Sequence, residues 1–107
     1  MINTLGVENL YIAAARTILF STNVPVNETW LILNLRTNGS TVALTTVELR
    51  INQDPRIKAI PSQRNNVMEI SEEIPGGTNI ELHIVKNDAV AQTIGAFIDI
   101  DRIKSGV

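Results

Sequence analysis

The sequence has no cysteine, only one histidine, and just 4% aromatic residues among its 107 residues. Without cysteine, the chain can form no disulfide and offers no thiolate to a metal or a substrate. The single histidine, His83, cannot make a usual zinc site without further strong ligands. These absences exclude disulfide-stabilised folds, cysteine-based catalysis and zinc fingers, and we expect neither a cofactor nor a metal.

Strong charge and long apolar runs are also missing. Nine basic and eleven acidic side chains give a formal net charge of -2, whereas a nucleic-acid-binding domain normally has a basic face. No apolar run approaches the roughly 20 residues that span a bilayer. The N-terminus lacks a basic stretch followed by an apolar core. We therefore expect no nucleic-acid partner, no membrane segment and synthesis in the cytoplasm.

The chain is rich in β-branched residues instead. Isoleucine, valine and threonine together account for 34 residues, and branched side chains favour strands over helices. Several segments alternate apolar and polar residues with a period of two, and turn-forming residues separate them. About six to eight short strands of this kind predict an all-β fold, an antiparallel β-sandwich of jelly-roll-like type. We expect a single domain over residues 1–107.

Two strands near the C-terminus alternate most regularly. Residues 78–86 predict a strand with an apolar inner face made of Ile80, Leu82 and Ile84. Its outward residues are Glu81, His83 and Lys86. Residues 92–103 predict a closing strand with an inner face made of Ile94, Ala96, Ile98 and Ile100. Between the preceding strand and residue 78, Pro75 and Gly76 predict a type II turn at its second and third positions.

The middle of the chain predicts a hairpin. In residues 29–37, Leu33 and its neighbouring leucines share one face, which we take as inward, so that Trp30 and Ile32 point outward. On this assignment, Leu33→Ala costs about 2–5 kcal/mol. Asn38 and Gly39 predict a two-residue hairpin turn. The returning strand, residues 41–52, changes parity and predicts a bulge near Thr45 and Thr46.

The N-terminal part is less regular. Residues 17–22 predict a strand with Ile18 and Phe20 on one face. Residues 1–12 predict either an arm or a peripheral strand of the sandwich, and residues 1–15 are the candidate for an arm that docks on a neighbouring subunit.

Few polar residues suggest chemistry. Asp99 and Asp101 project from one strand face about 7 Å apart, which suits either a hard cation such as calcium or a solvated face balanced by Arg102 and Lys104. An enzyme would need His83 beside one of these carboxylates or beside a nucleophile. No sequence motif brings such residues together, so we expect no enzymatic activity.

The sequence offers more candidates for an interface with another protein than for a catalytic site. Apolar side chains occur on the nominally outer faces, and four basic residues cluster around the middle loop with Asp54 as the one acid among them. A small monomer rarely needs apolar groups on both faces of its strands, so the apolar positions indicate an oligomer contact, unless loops of the same chain cover them. The basic cluster indicates either a charged interface or a solvated loop. The candidate interface residues are Tyr11, Trp30, Ile32, Arg50, Arg56, Lys58, Arg64, Val85 and Phe97.

Several motifs follow one another in a recognisable order between residues 17 and 103. They are the entry NVPVNETW at 23–30, the hairpin at 31–51, the turn IPGGT at 74–78, the strand at 79–85 and the closing strand at 95–100. This order resembles the small β-sandwich, jelly-roll-like virion proteins of tailed bacteriophages. No catalytic residue comes with the resemblance.

The resemblance implies a virion structural protein. The most specific role that it implies is that of a capsid decoration (cement) protein. Such a protein forms a homo-oligomer, for which a trimer is favoured, and binds the major capsid protein or another virion protein. A collar or tail accessory belongs to the same class. The alternative function is a tail- or fibre-associated carbohydrate- or receptor-binding module, with Trp30 or Tyr11 as the ring on which a ligand stacks.

Overall fold

The computed structural model describes residues 2–12, 14–39, 45–59, 66–87, 89 and 91–104. These residues form eight β-strands and no helix. The strands are β1 (Ile2–Tyr11), β2 (Arg16–Asn23), β3 (Glu28–Gly39), β4 (Thr45–Ile51), β5 (Asp54–Ala59), β6 (Asn66–Ile74), β7 (Asn79–Lys86) and β8 (Gln92–Lys104). Within these ranges, no helix is long and apolar enough to cross a membrane.

The strands form two four-stranded antiparallel sheets. Sheet A has the order β1-β8-β3-β6, and sheet B has the order β2-β7-β4-β5. The pairs β1·β8, β2·β7, β3·β6 and β4·β5 are those of one long hairpin folded over on itself. This arrangement is the eight-stranded jelly roll. The predicted all-β antiparallel sandwich is therefore confirmed.

The core lies between the sheets and is almost entirely aliphatic. The central strands β7 and β8 each pair with two neighbours, and their predicted inner faces are confirmed. The residues of these two faces, all fully buried, are Ile80, Leu82, Ile84, Ile94, Ala96, Ile98 and Ile100. Strand β4 adds Val47, Leu49 and Ile51. One buried face per sheet is what an antiparallel sandwich requires.

The inner face of β3 differs from the predicted one. Trp30 and Ile32 are buried in the core, at 5% and 0% exposure, whereas Leu33 is only half-buried. The register of β3 against both of its neighbours shifts between Ile32 and Asn34. An extra residue at such a bulge inverts the alternation, and Leu35 returns to the core. The prediction that the leucines face inward is therefore wrong for the part of β3 before the register shift. It is correct for Leu35, which follows the shift.

Strand β2 contains a second register shift. It lies between Ile18 and Phe20 in the pairing with β7. Ile18 is 53% exposed, while Phe20 packs against the core. The prediction that these two residues share a face is wrong for the same reason as in β3.

The hairpin predicted at Asn38 and Gly39 does not form. Both residues belong to β3 and pair with β8, and neither has a positive φ. Strand β4 lies in the other sheet, so the chain crosses from sheet A to sheet B between β3 and β4. Over its whole length β4 pairs with β7 without a register shift. The bulge predicted near Thr45 and Thr46 is thus absent from β4; residues 40–44 lie outside the described part.

The turn after β6 lies one residue later than predicted. The amide of Thr78 donates to the carbonyl of Pro75 at 3.3 Å. Gly77 has a φ of 85°, which is the conformation of the third residue in a type II turn. The prediction placed Gly76 there. The choice of turn type is sound, and the position is corrected by one residue.

Candidate functional site

The outer face of sheet B carries a cluster of polar residues around the only histidine. We call it the His83 cluster; its members are Arg16, Ser21, Glu48, Arg50, Glu81 and His83. His83 lies opposite Ile18 of β2 and Glu48 of β4, and its side chain is only 6% exposed. The predicted outward direction is right, but neighbouring side chains cover the ring. Lys86, also predicted outward, is buried as well.

Hydrogen bonds define the state of the His83 ring. Its Nδ1 lies 3.0 Å from Nη1 of Arg16. Arginine can only donate, so Nδ1 accepts. Its Nε2 lies 2.9 Å from Oε1 of Glu81 and donates to that carboxylate. This pattern requires the neutral ring with its proton on Nε2.

The His83 cluster does not have the geometry of a nucleophile activated by a base. Ser21 Oγ donates to Oε2 of Glu81 at 2.9 Å, so the carboxylate lies between the hydroxyl and the imidazole. A serine nucleophile needs the histidine next to it and the carboxylate beyond. Hydrogen bonds from His83 and Ser21 lower the pKa of Glu81. The arrangement holds neighbouring strands together.

The predicted positive patch consists of Arg50, Arg56, Lys58 and Arg64. Arg50 and Arg16 both bind Glu48, each at 3.2 Å. Arg56 forms an ion pair with Glu72 and so links the edge strand β5 of sheet B to the edge strand β6 of sheet A. The side chain of Lys58 and all of Arg64 lie outside the described residues. Two of the four positive charges are therefore balanced within the subunit.

The outer face of sheet A carries a second cluster, centred on Asp99. Arg36 binds both carboxylate oxygens, with Nε at 2.8 Å and Nη2 at 3.1 Å. Thr4 donates to the same carboxylate at 2.6 Å. Burial raises the pKa of Asp99, but these hydrogen bonds outweigh burial and the pKa is lowered. One carboxylate thereby joins β1, β8 and β3.

The described residues offer no further ligand for a cation at Asp99 and Asp101. Asp99 is engaged by Arg36 and Thr4, and the described residues contain no group of three or more histidine, aspartate or glutamate side chains that could hold a metal. His83 and Asp99 lie on different sheets. The structure therefore does not place His83 beside Asp99, which is the pairing that the sequence analysis required for an enzyme.

Phe97 lies beside the Asp99 cluster and faces outward, as predicted. Its partner on β1 is Gly6. A Cβ at Gly6 would lie 2.9 Å from Cδ1 of Phe97, so the ring occupies the space that a side chain would need. The guanidinium of Arg36 lies 5.4 Å from the centroid of the ring. Both Phe97 and the other predicted outer residue, Val85, are half-buried.

Trp30 anchors one end of the core. Its Nε1 donates to Oε1 of Glu28 at 3.0 Å. Arg102 binds both oxygens of Glu28 at 2.8 Å and lies 5.5 Å from the centroid of the Trp30 ring. Trp30 and Ile32 are thus inaccessible to a sugar or a protein partner, and the outward position predicted for them is wrong. Tyr11, at the end of β1, is half-buried against the core.

The Glu28–Arg102 pair makes the fold sensitive to acid. Hydrogen bonds from Arg102 and Trp30 lower the pKa of Glu28 from 4.5 to about 2. A carboxyl group of this kind stabilises the fold above pH 4.5, and its contribution is lost as the pH falls through about 2. We expect the urea midpoint of Glu28→Gln to fall less steeply over this interval than that of the unaltered protein. Identical slopes would contradict the assigned pair.

Sequence reasoning missed the partners of these charges. Glu28 and Trp30 are two residues apart in a strand, so the sequence alone predicts that they share a face. Arg102 comes from a distant strand, and its position opposite Trp30 depends on the register of β3 and β8. The same register brings Arg36 to Asp99, whereas the prediction balanced Asp99 with Arg102.

No family model matches the chain, and no curated protein matches it. Among solved structures it is similar to three of infectious bursal disease virus: the Gx strain, the VP2 subviral particle and the T=1 particles derived from the virus. The identity is 16% in each case, and the TM-scores are 0.55, 0.54 and 0.55. The match covers 99% of this chain but only 32% or 33% of those chains.

These likenesses show the fold alone. The chain spans about a third of the length of the viral chains that it matches. The three structures belong to a birnavirus and give no support to the tailed-bacteriophage family as such. They do agree with the jelly roll that the strand pairing defines.

Proposed function

We propose that the protein is a structural component of virus particles that works by contact with copies of itself and with other virion proteins. The observation that carries the proposal is the match of the whole jelly roll to chains of infectious bursal disease virus particles. The two outer-face clusters support it, because their hydrogen bonds join neighbouring strands within each sheet.

Within this class, the proposed role is capsid decoration, with the major capsid protein of a tailed bacteriophage as the partner and no enzymatic activity. The proposed location is the virion, after synthesis in the host cytoplasm. The charge supports a place away from the genome, since a surface that lines nucleic acid is normally basic. Paired residues share a face, so the acids on the outer face of sheet A are Glu8, Glu69, Glu73, Asp99 and Asp101. Among the described residues of this face, Arg36 is the opposing base.

The carbohydrate-binding alternative gains no support from the described surface. Trp30 is buried, Tyr11 is half-buried against the core, and Arg36 lies over the ring of Phe97. A sugar normally stacks on an open aromatic ring, and none of these three rings is fully open.

Light scattering coupled to size-exclusion chromatography tests the proposed function. The full chain is expected to form a discrete oligomer, built on trimers, and electron micrographs of the same sample are expected to show no closed shells. A strict monomer at every concentration would contradict the virion role. Closed shells made by the chain alone would contradict decoration and make this chain the shell protein itself.

A further inference from the structure

Among the strands that the structure describes, three of the four edge strands carry features that discourage pairing with another sheet. Strand β6 has three glutamates among its nine residues. Strand β5 begins with Asp54-Pro55-Arg56, and β2 begins with Arg16 and contains a register shift. Charges, proline and bulges are the devices by which natural sheets protect their edges.

The remaining edge strand, β1, lacks this protection. It is ten residues long and contains no proline, no lysine or arginine, and Glu8 as its one charge. It pairs with β8 from Ile2 to Tyr11 without a register shift. Among the described strands, none pairs with its other edge. A long, weakly charged edge of this kind is a template for a further strand.

Exposed apolar side chains collect on the same flank. Six large hydrophobic residues are exposed in the described part of the chain, and three of them lie on β1, on β2 or in the segment between. These are Leu10 at 59%, Ile12 at 59% and Ile18 at 53% exposure. Since β1 and β2 contact each other, the segments that carry these side chains border the same side of the sandwich as the open edge.

We propose that β1 pairs antiparallel with β1 of a second copy, which joins two copies of sheet A into one eight-stranded sheet about a two-fold axis. The proposal rests on the proposed function, because it names a surface through which the subunits associate. A two-fold contact is self-complementary. It coexists with a trimer by joining trimers in pairs.

The sequence of β1 indicates that its pairing partner is β1 of a second copy. Two β1 strands bring together one glutamate each, whereas two β6 strands would oppose three glutamates each. A pairing centred on Gly6 sets Leu5 opposite Val7 of the second copy, and both residues are half-buried on the core side. It sets Thr4 opposite Glu8 on the outer side, so no like charges oppose each other.

An inward-facing lysine on the edge strand tests the proposal. In Val7→Lys, the long side chain reaches water past an open edge, but a paired edge would bury it. Met68→Lys is the matched control, because Met68 is half-buried against the core on β6, the other edge of sheet A. We expect Val7→Lys to halve the mass of the oligomer measured by light scattering and Met68→Lys to leave it unchanged.

Hydrogen exchange keeps the test decisive if Val7→Lys does not fold. In the unaltered protein, the amides of β1 are expected to gain protection as the concentration rises, while those of β5 and β6 do not. An oligomer whose mass persists in a folded Val7→Lys, or whose β1 amides exchange alike at all concentrations, overturns the β1 contact and leaves the proposed function intact. If both variants lower the mass of the oligomer, β1 pairs with β6 of a second copy, which also overturns the proposed β1-to-β1 contact. A monomer at every concentration overturns both proposals.

Discussion

Ile32→Ala is expected to lower the free energy of unfolding by about 2–5 kcal/mol, and Leu33→Ala by less than about 1 kcal/mol. Ile32 is fully buried between the sheets, so truncation leaves a cavity that close-packed neighbours fill only in part. Leu33 lies at the register shift and is half-buried, so its truncation leaves a dent that water fills.

The two substitutions control each other. They remove aliphatic carbons from adjacent residues of the same strand, and the two side chains differ in how deeply they are buried. Urea unfolding followed by circular dichroism gives both free energies. Equal losses would contradict the position of the register shift, and a larger loss for Leu33→Ala would restore the face assigned from the sequence.

The strands that the sequence predicts best are those with uninterrupted alternation. In β8, four aliphatic side chains recur at every second residue, and all four are fully buried. Strand β7 behaves in the same way with Ile80, Leu82 and Ile84. A period of two that persists over a whole strand leaves one choice of inner face, because a slip of one residue would expose the entire apolar set.

The errors occur where long-range pairing overrides a local signal. Asn38 and Gly39 are a strong hairpin pair by themselves, but β3 continues through them because β8 supplies a partner. The register shift after Ile32 is likewise a property of the assembled sheet, since both neighbours of β3 show it. A sequence with apolar residues on both parities offers no local means of locating such a shift.

The polar clusters were less predictable than the core. His83 has the outward direction that alternation predicts, yet Arg16 and Glu48 approach it from two other strands and exclude water. Asp99 has the predicted face but takes Arg36 as its partner. Each of these contacts joins residues far apart in the chain, so they depend on strand order. Strand order in a sandwich does not follow from the alternation pattern of single strands.

Gly6→Ala is expected to lower the free energy of unfolding by about 3 kcal/mol or more. Gly6 has a φ of 146°, which residues with a side chain rarely adopt, and this strain alone costs of the order of 1–3 kcal/mol. A Cβ there would also lie 2.1 Å from the carbonyl oxygen of Ala96 and 2.6 Å from Cα of Phe97. Both are backbone atoms of β8, so β1 itself must move away from the sheet.

Gly77→Ala separates the two contributions. Gly77 has a φ of 85°, and no atom lies within 4 Å of the position of its Cβ, so its substitution carries strain of about 1–2 kcal/mol and no clash. Urea unfolding measures both losses, and hydrogen exchange of the β8 amides shows whether β1 has detached. Equal losses, with the β8 amides still protected in Gly6→Ala, would mean that β1 does not approach β8 as closely as the structure shows. Because the proposed two-fold contact needs β1 in place, Gly6→Ala should also weaken the oligomer, whereas Gly77→Ala, in a turn outside β1, should leave it intact.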